Sequence, residues 1–192
     1  NHYLWSDSDL SSNYIKIIIM SPFIHLHNHS DFSLLESSQS IQSIVDRAKE
    51  LSMDAIALTE KGNLFSMIDF YKYAKKNQVK PIIGCEINVK HDIHKKFVLV
   101  LLAKNNAGYL NLMKLVSLSY INSNSNVPLV DFDLIEKYKE GIIALSSGLN
   151  GEVAHYASNN DYDNALNSAK KIKQIFNGNF YLEIQNHGIE NQ

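Results

Sequence analysis

Two histidines one residue apart begin the part of the chain that is richest in candidate chemistry. His27 and His29 flank a single residue and follow the short apolar pair Phe23-Ile24. On an extended segment, side chains two residues apart point to the same face, so both imidazoles can reach one point. Neutral imidazole is a common ligand of divalent metal ions. The alternative is a pair of histidines at a strand end, one packed and one solvated.

Carboxylates recur after the predicted strands. Glu36 follows the histidine segment, Glu60 directly follows the second predicted strand, Glu86 belongs to the turn-like Gly84-Cys85-Glu86, and a polar segment at 146–152 follows a later strand. Barrel-type α/β folds place their sites beyond strand ends. Taken singly, each of these carboxylates is more often a solvated loop residue. Their shared position favours a common site.

The remaining candidate groups are expected to be structural or solvated. His25 lies on the opposite strand period from His27, and Cys85 in its apolar turn is predicted to pack as a small buried residue. The other four histidines considered lie in polar segments and are predicted to be surface residues without partners: His91, His94, His155 and His187.

Short apolar runs alternate with helical periodicity along the chain. Strands are predicted at residues 23–26, 55–59, 81–89, 97–103, 142–146 and 180–184. Helices are predicted at residues 41–51, 64–76, 107–120, 152–157 and 161–176. Ser40 is the predicted cap of the first helix, Ile68 and Tyr71 are expected to face inward, and so is Leu110. Such alternation is typical of parallel βα units, with the 81–89 and 97–103 strands joined as a hairpin.

Composition excludes several classes of protein. The 192 residues carry a net charge of −2, so the chain has no sequence-wide basic field for a phosphate backbone. One cysteine rules out a disulfide framework and favours a reducing cytoplasm. The apolar run at residues 17–20 is too short to span a membrane, and no membrane partner is expected.

The first residues are predicted to lie outside the folded domain. The chain begins with Asn1, and Met20 directly precedes the first organised segment. We therefore expect residues 1–19 to be an extension or sequence upstream of a natural start at Met20, and residues 20–192 to form one domain.

Five segments resemble one family. Residues 23–35, with the sequence Phe-Ile-His-Leu-His-Asn-His-Ser-Asp-Phe-Ser-Leu-Leu, resemble the first motif of the polymerase and histidinol phosphatase (PHP) domain. Residues 57–64 and 81–86 resemble its second and third motifs. Residues 101–112 and 144–152 are similar to stretches of its polymerase branch, found at the amino terminus of the bacterial DNA polymerase III α subunit. The motifs occur in family order between residues 20 and 192.

The resemblance implies a distorted (βα) barrel with a metal cluster at the carboxyl ends of its strands. Active members hydrolyse phosphate esters, and in some polymerases the cluster acts as a 3′→5′ exonuclease. Clustered divalent ions generate hydroxide near neutral pH and bind both oxygens of a phosphoryl displacement. The implied ligand positions are His27, His29, Glu36 and Glu86, with Glu36 standing where aspartate is usual.

Departures from the family pattern predict an incomplete site. Lys61 occupies the place of a histidine, and an ammonium has no lone pair for a cation and repels it. A further histidine is expected at about Phe97-Val98, and neither position holds one. Gly148 stands where a cysteine is expected, and the last aspartate and histidine ligands would lie beyond Gln192. The barrel is accordingly expected to be incomplete at its carboxyl end. We expect no catalytic residue in this chain.

At most one weakly bound ion (zinc, manganese or magnesium) is expected, held by His27, His29 and Glu86. The Lys61 ammonium is a candidate replacement for a lost metal, with Glu60 the leading partner and Glu36 or Glu86 the alternatives. Breaking a buried pair of this kind costs about 3–5 kcal/mol. The alternative is that Lys61 extends into solvent.

The function implied by the resemblance is structural. The chain would be the amino-terminal PHP domain of a DNA polymerase III α subunit, whose other parts would perform DNA-directed synthesis with magnesium. Expected partners are the remainder of that subunit, a proofreading exonuclease subunit and other replisome subunits, with DNA held through the parent protein. The alternatives are a metal-dependent phosphoesterase or 3′→5′ exonuclease, and a gene remnant without function.

Overall fold

The computed structural model describes residues 23–91, 96–123, 127–186 and 188. Within these residues, the strands are β1 (Ala55–Lys61), β2 (Lys80–Lys90), β3 (Lys96–Ala103), β4 (Ile142–Leu145) and β5 (Phe180–Tyr181). The helices are α1 (Ile41–Glu50), α2 (Met67–Lys76), α3 (Asn106–Ile121), α4 (Phe132–Lys137), α5 (Glu152–Ser158) and α6 (Tyr162–Ile175). The predicted extension at residues 1–19, together with His94 and His187, lies outside the described residues.

The strands form one mixed sheet in chain order, β1-β2-β3-β4-β5. β1 and β2 are parallel, as are β4 and β5, whereas β2–β3 and β3–β4 are antiparallel. The predicted hairpin of β2 and β3 is therefore confirmed. The helical connection from β3 to β4 was expected to give a parallel unit, which is wrong because these two strands are antiparallel. In the described part of the chain the sheet stays open, with β1 and β5 at its edges. The α/β class with an incomplete barrel is confirmed.

The amino-terminal segment runs along the outer edge of β1. The amide of Ala57 donates to the carbonyl of His25 at 3.0 Å, and the amide of Thr59 donates to the carbonyl of Asn28 at 2.8 Å. The strand predicted at residues 23–26 is thus an irregular extended segment, because two bonds spaced unevenly do not make a regular ladder. This segment carries His27 and His29 to the end of the sheet where β1 ends.

Local signals define the first helix. The Ser40 hydroxyl accepts from the amide of Ser43, which confirms the predicted cap.

In α2 the buried positions are Met67, Phe70 and Ala74, whereas Ile68 and Tyr71 are exposed. The prediction that Ile68 and Tyr71 face inward was wrong, because the side of α2 that packs on α1 and β1 follows the 67–70–74 spacing. Leu110 of α3, also expected to face inward, is exposed.

The two faces of the sheet are covered to different extents. One face packs against helices, with α1 and α2 over β1 and with α3, α4 and α6 over β2 and β3. The other face carries a small group of apolar side chains, among them Ala57, Val100 and Leu145. A groove of about 760 Å³ lies on this second face, and His27 stands at its wall.

Helix α3 approaches the loop before β4 very closely. A Cβ atom at Gly108 would lie 1.8 Å from the carbonyl oxygen of Gly141. The helix begins at the same place, where the Asn105 side chain accepts from the amide of Gly108 at 3.0 Å. The contact requires glycine at residue 108, because any side chain there would displace backbone.

Candidate metal centre

Three predicted ligands converge at the carboxyl end of β1. Nε2 of His27 lies 3.1 Å from Oε2 of Glu86, and Nε2 of His29 lies 3.2 Å from the same oxygen. Glu86 is held in the middle of β2 opposite Lys61 of β1. The amide of Asn28, between the two histidines, donates to Oγ1 of Thr59 at 3.0 Å. β1 and β2 therefore fix all three side chains.

Burial and neighbouring charges shift the pKa values of His27 and Glu86 in opposite directions. Side-chain exposure is 13% for His27 and 6% for Glu86. Burial alone would lower the pKa of His27, but hydrogen bonds to Glu183 and Glu86 outweigh it and raise the pKa to about 9. Burial would raise the pKa of Glu86, but the imidazoles of His27 and His29 lower it to about 2. In the absence of an ion, the arrangement is an imidazolium between carboxylates.

Glu183 is a site residue that sequence reasoning missed. Its Oε1 lies 2.7 Å from Nδ1 of His27, and Nε2 of Gln185 donates to the same carboxylate oxygen at 2.6 Å. The signal was available, since Glu183 follows a strand just as Glu60 ends one. The predicted strand at residues 180–184 contained Glu183, whereas β5 consists of Phe180–Tyr181 alone. Glu183 was therefore not recognised as a residue beyond the end of a strand.

Glu36 lies away from the three converging ligands and pairs with Lys61. Among the described residues, the group with ligand atoms within 4.8 Å of one another consists of His27, His29 and Glu86. Nζ of Lys61 donates to Oε1 of Glu36, and the side chains are 40% and 45% exposed. Glu36 thus joins a half-exposed ion pair, which differs from its predicted place among the ligands.

Glu60 does not pair with Lys61, contrary to the leading expectation. Its carboxylate is fully buried and accepts from the hydroxyls of Ser30, Ser33 and Ser66, the last at 2.8 Å. The amide of Ser30 adds a fourth bond at 3.2 Å. The serines therefore supply the partners that the lysine was predicted to give, and Lys61 turns outward to Glu36.

The residues present fit one divalent ion. Nε2 of His29 is buried and lies 3.2 Å from Oε2 of Glu86, yet among the described residues it makes no hydrogen bond of good geometry. Oε2 of Glu183 is likewise buried without a hydrogen bond among these residues. Buried polar atoms of this kind are normally satisfied, so an unpaired imidazole nitrogen facing a carboxylate points to a missing ligand. Three protein ligands with a free position are the pattern of catalytic zinc sites. An ion held by His27, His29 and Glu86 would lower the pKa of a bound water and polarise an oxygen bound beside it.

The position expected for a cysteine ligand borders the same site. A Cβ atom at Gly148 would lie 2.8 Å from Oε1 of Gln185, the residue bonded to Glu183. Glycine at residue 148 thus leaves space that Gln185 occupies.

Other predictions have mixed outcomes. Cys85 is fully buried and its thiol donates to the carbonyl of Glu60 at 3.2 Å, as expected for a packed residue. His91 is exposed, as predicted, but it does have a partner, because its Nδ1 lies 2.9 Å from Oε1 of Glu152. The fold brings the β2–β3 hairpin against α5, a contact that local sequence does not reveal.

Comparison with known proteins identifies the family. The family model of the PHP domain matches residues 25–187 of this chain. The chain belongs to the PHP domain family. The match includes the histidine segment, Glu86 and Glu183.

The curated relatives are polymerase subunits. The chain is 44% identical over 182 residues to the DNA polymerase III subunit alpha of Borreliella burgdorferi, covering 90% of this chain and 16% of that protein. It is 38% identical over 187 residues to that of Helicobacter pylori strain 26695, covering 88% and 15%, and 39% identical over 189 residues to that of Aquifex aeolicus, covering 88% and 16%. This PHP domain thus spans about one sixth of the relatives' length.

Two solved structures share limited similarity with this PHP domain. An amidohydrolase from Chromobacterium violaceum gives a TM-score of 0.39 at 22% identity over 48% of this chain and 32% of that one. A metal-dependent phosphoesterase from Bifidobacterium adolescentis gives 0.39 at 12% identity over 78% and 53%. None of the described helices combines the length and apolar character of a membrane span.

Proposed function

We propose that this PHP domain is a structural unit of a DNA polymerase III α subunit and holds one divalent ion. The observation that carries the proposal is the division of the motif residues: His27, His29 and Glu86 converge, while Lys61 pairs with Glu36. An ion that links the amino-terminal segment to β2 stabilises the domain, because binding to the folded state alone shifts the folding equilibrium. DNA synthesis would belong to other parts of the parent protein.

The charge of Lys61 argues against a second ion beside the first. Its ammonium extends from the end of β1, directly after buried Glu60, and pairs with the carboxylate of Glu36. The carboxylate of Glu60 is enclosed by three serines. The carboxylates of Glu36 and Glu60 are therefore already engaged by Lys61 and by the serines. A second ion would lack ligands here, and the two-ion mechanism of in-line phosphoryl displacement requires one.

Partners follow from the same proposal. The relatives are DNA polymerase III alpha subunits, so the first partner of this domain would be the remainder of such a subunit. A proofreading exonuclease subunit and other replisome subunits are further proposed partners. With a net charge of −2, the chain would meet DNA through the parent protein.

Metal content and hydrolysis test the proposal together. The purified 192-residue chain is dialysed against zinc, manganese or magnesium, its bound metal is measured by mass spectrometry, and hydrolysis of p-nitrophenyl phosphate and of a labelled single-stranded oligonucleotide is followed. We expect about one ion per chain and no hydrolysis that EDTA abolishes. A His29→Ala chain is expected to lose the ion.

Two results would overturn the structural role. Two or three tightly bound ions with chelator-sensitive nuclease activity would show a working cluster. One ion with chelator-sensitive phosphatase activity that His29→Ala abolishes would show a single-ion hydrolase, a second candidate favoured by the three-ligand arrangement.

A further inference from the structure

Glu183 occupies the outer side of His27, opposite the candidate ion site. The imidazole presents Nε2 towards Glu86 at 3.1 Å and Nδ1 towards Oε1 of Glu183 at 2.7 Å. A ring nitrogen binds a metal through its lone pair, so Nε2 is available only when Nδ1 carries the proton. A carboxylate beside Nδ1 favours that tautomer and fixes the orientation of the ring.

The backbone holds Glu183 in this position independently of His27. The amide of Glu183 donates to the hydroxyl of Ser146 at 2.9 Å, and the amide of Ser146 donates to the carbonyl of Tyr181 at 3.1 Å. Ser146 directly follows β4, so the carboxylate is anchored at the carboxyl end of that strand. Nε2 of Gln185 donates to Oε1 of Glu183 at 2.6 Å and fixes the carboxylate further.

We propose that Glu183 is a positioning residue for the ion site, which holds His27 with Nδ1 protonated and Nε2 directed at the metal. The inference rests on the proposed function, since it concerns the same ion. It adds a residue 156 positions away in the chain and joins the carboxyl-terminal segment to the histidines. Ion binding and the placement of residues 182–186 are then linked.

Metal affinity in matched variants tests the inference. Zinc binding to the full chain is measured by calorimetry for the wild type, Glu183→Ala and Glu183→Gln. We expect Glu183→Ala to weaken binding 10- to 100-fold, the usual effect of losing a carboxylate behind a ligating histidine. Glu183→Gln should recover part of the loss, because its amide oxygen still accepts from Nδ1.

A second histidine–carboxylate pair supplies the control. Glu152 contacts Nδ1 of His91 at 2.9 Å, and its side chain is 11% exposed, as is that of Glu183. Glu152→Ala and Glu152→Gln should leave zinc affinity within twofold of the wild type. A loss with Glu152→Ala equal to that with Glu183→Ala would overturn the inference, since general destabilisation would explain both.

Hydrogen exchange of the metal-free chain separates positioning from structure. Glu183→Ala should speed amide exchange at residues 182–186, because the contact with His27 is lost. Faster exchange with unchanged zinc affinity would make Glu183 merely structural and sink the inference. A wild-type chain that binds no zinc, manganese or magnesium would instead refute the proposed ion site, whatever Glu183 does to exchange.

Discussion

At the scale of single residues, position relative to solvent decides what each charge contributes. Glu60 and Lys61 are neighbours in β1, yet the carboxylate is fully buried and the ammonium side chain is 40% exposed. A buried carboxylate depends on its hydrogen-bond donors, whereas an exposed pair is screened by water. The two residues should therefore respond very differently to substitution.

Lys61→Ala is expected to have a small effect on stability. The ion pair with Glu36 is half exposed, and such pairs contribute about 0–1 kcal/mol. Urea unfolding should show a change in the free energy of unfolding within that range, similar to that of Arg47→Ala, which removes another exposed pair. A loss of 3 kcal/mol or more, on the order expected for a buried pair, would show that Lys61 does replace a metal.

Glu60→Ala is expected to be strongly destabilising. The change removes the acceptor for three buried hydroxyls and the amide of Ser30, and each unsatisfied buried donor costs about 1–3 kcal/mol. The free energy of unfolding in urea should fall by at least about 3 kcal/mol. Glu50→Ala is the control, because the Glu50 side chain is exposed at the end of α1, and it should change the free energy of unfolding by about 0.5 kcal/mol or less. Equal effects of the two substitutions would contradict the importance of the serine contacts.

At the scale of elements, glycine sets how closely a helix approaches a loop. Helix α3 is 16 residues long and packs over β2, β3 and β4, with Leu112 and Leu115 fully buried. Its first turn lies against the loop at Gly141. The position of the whole helix therefore depends on one residue without a side chain.

Gly108→Ala should destabilise the domain although alanine favours helices. The new methyl group would lie 1.8 Å from the carbonyl oxygen of Gly141, so backbone must move. We expect a loss of about 1–3 kcal/mol in thermal or urea unfolding, as is usual for overpacking. Ala107→Ser, at the exposed preceding position, should be nearly neutral. A more stable Gly108→Ala chain would show that the contact is loose.

Local elements were predictable from sequence, and distant contacts were not. The cap at Ser40 and the apolar spacing of α1 lie within about a dozen residues, so the sequence defined that helix correctly. Helix α4 was missed because it has six residues and a single buried one, Ile135. The motif resemblance predicted that His27, His29 and Glu86 share a site. Glu183 was missed because its partner His27 is 156 residues away.

At the scale of the whole molecule, the candidate ion site joins three parts of the chain. His27 lies on the amino-terminal segment, Glu86 in the middle of β2, and Glu183 after the edge strand β5. The contacts tie both edges of the open sheet to its centre. A change in the protonation of His27 or Glu86 should therefore change the free energy of unfolding of the entire domain.

Stability of the metal-free domain should be greatest between about pH 4.5 and 6.5. The pKa of His27 rises from 6.5 to about 9 on folding, so its contribution is full below pH 6.5 and is lost as pH rises through 9. The pKa of Glu86 falls from 4.5 to about 2, so its contribution is full above pH 4.5 and is lost as pH falls towards 2. The two shifts share the His27–Glu86 contact and are not additive, so the combined effect is taken as about 3 kcal/mol, the value of the larger shift.

Urea unfolding in EDTA across pH 4–10 measures this dependence. His27→Gln should flatten the alkaline limb, because the imidazole whose pKa rises on folding is removed. A wild-type chain equally stable at pH 6 and pH 9.5 would contradict the predicted charge arrangement. With zinc present, the alkaline loss should shrink, because the ion competes with the proton for Nε2.

Cys85 gives the protein a built-in reporter of its own unfolding. It is the one cysteine in 192 residues, its side chain is fully buried in β2, and burial raises the pKa of its thiol. Alkylating reagents attack the thiolate, so modification must wait until β2 is exposed to water. The rate of mass increase under iodoacetamide would then record how often the centre of the sheet opens, without any engineered label.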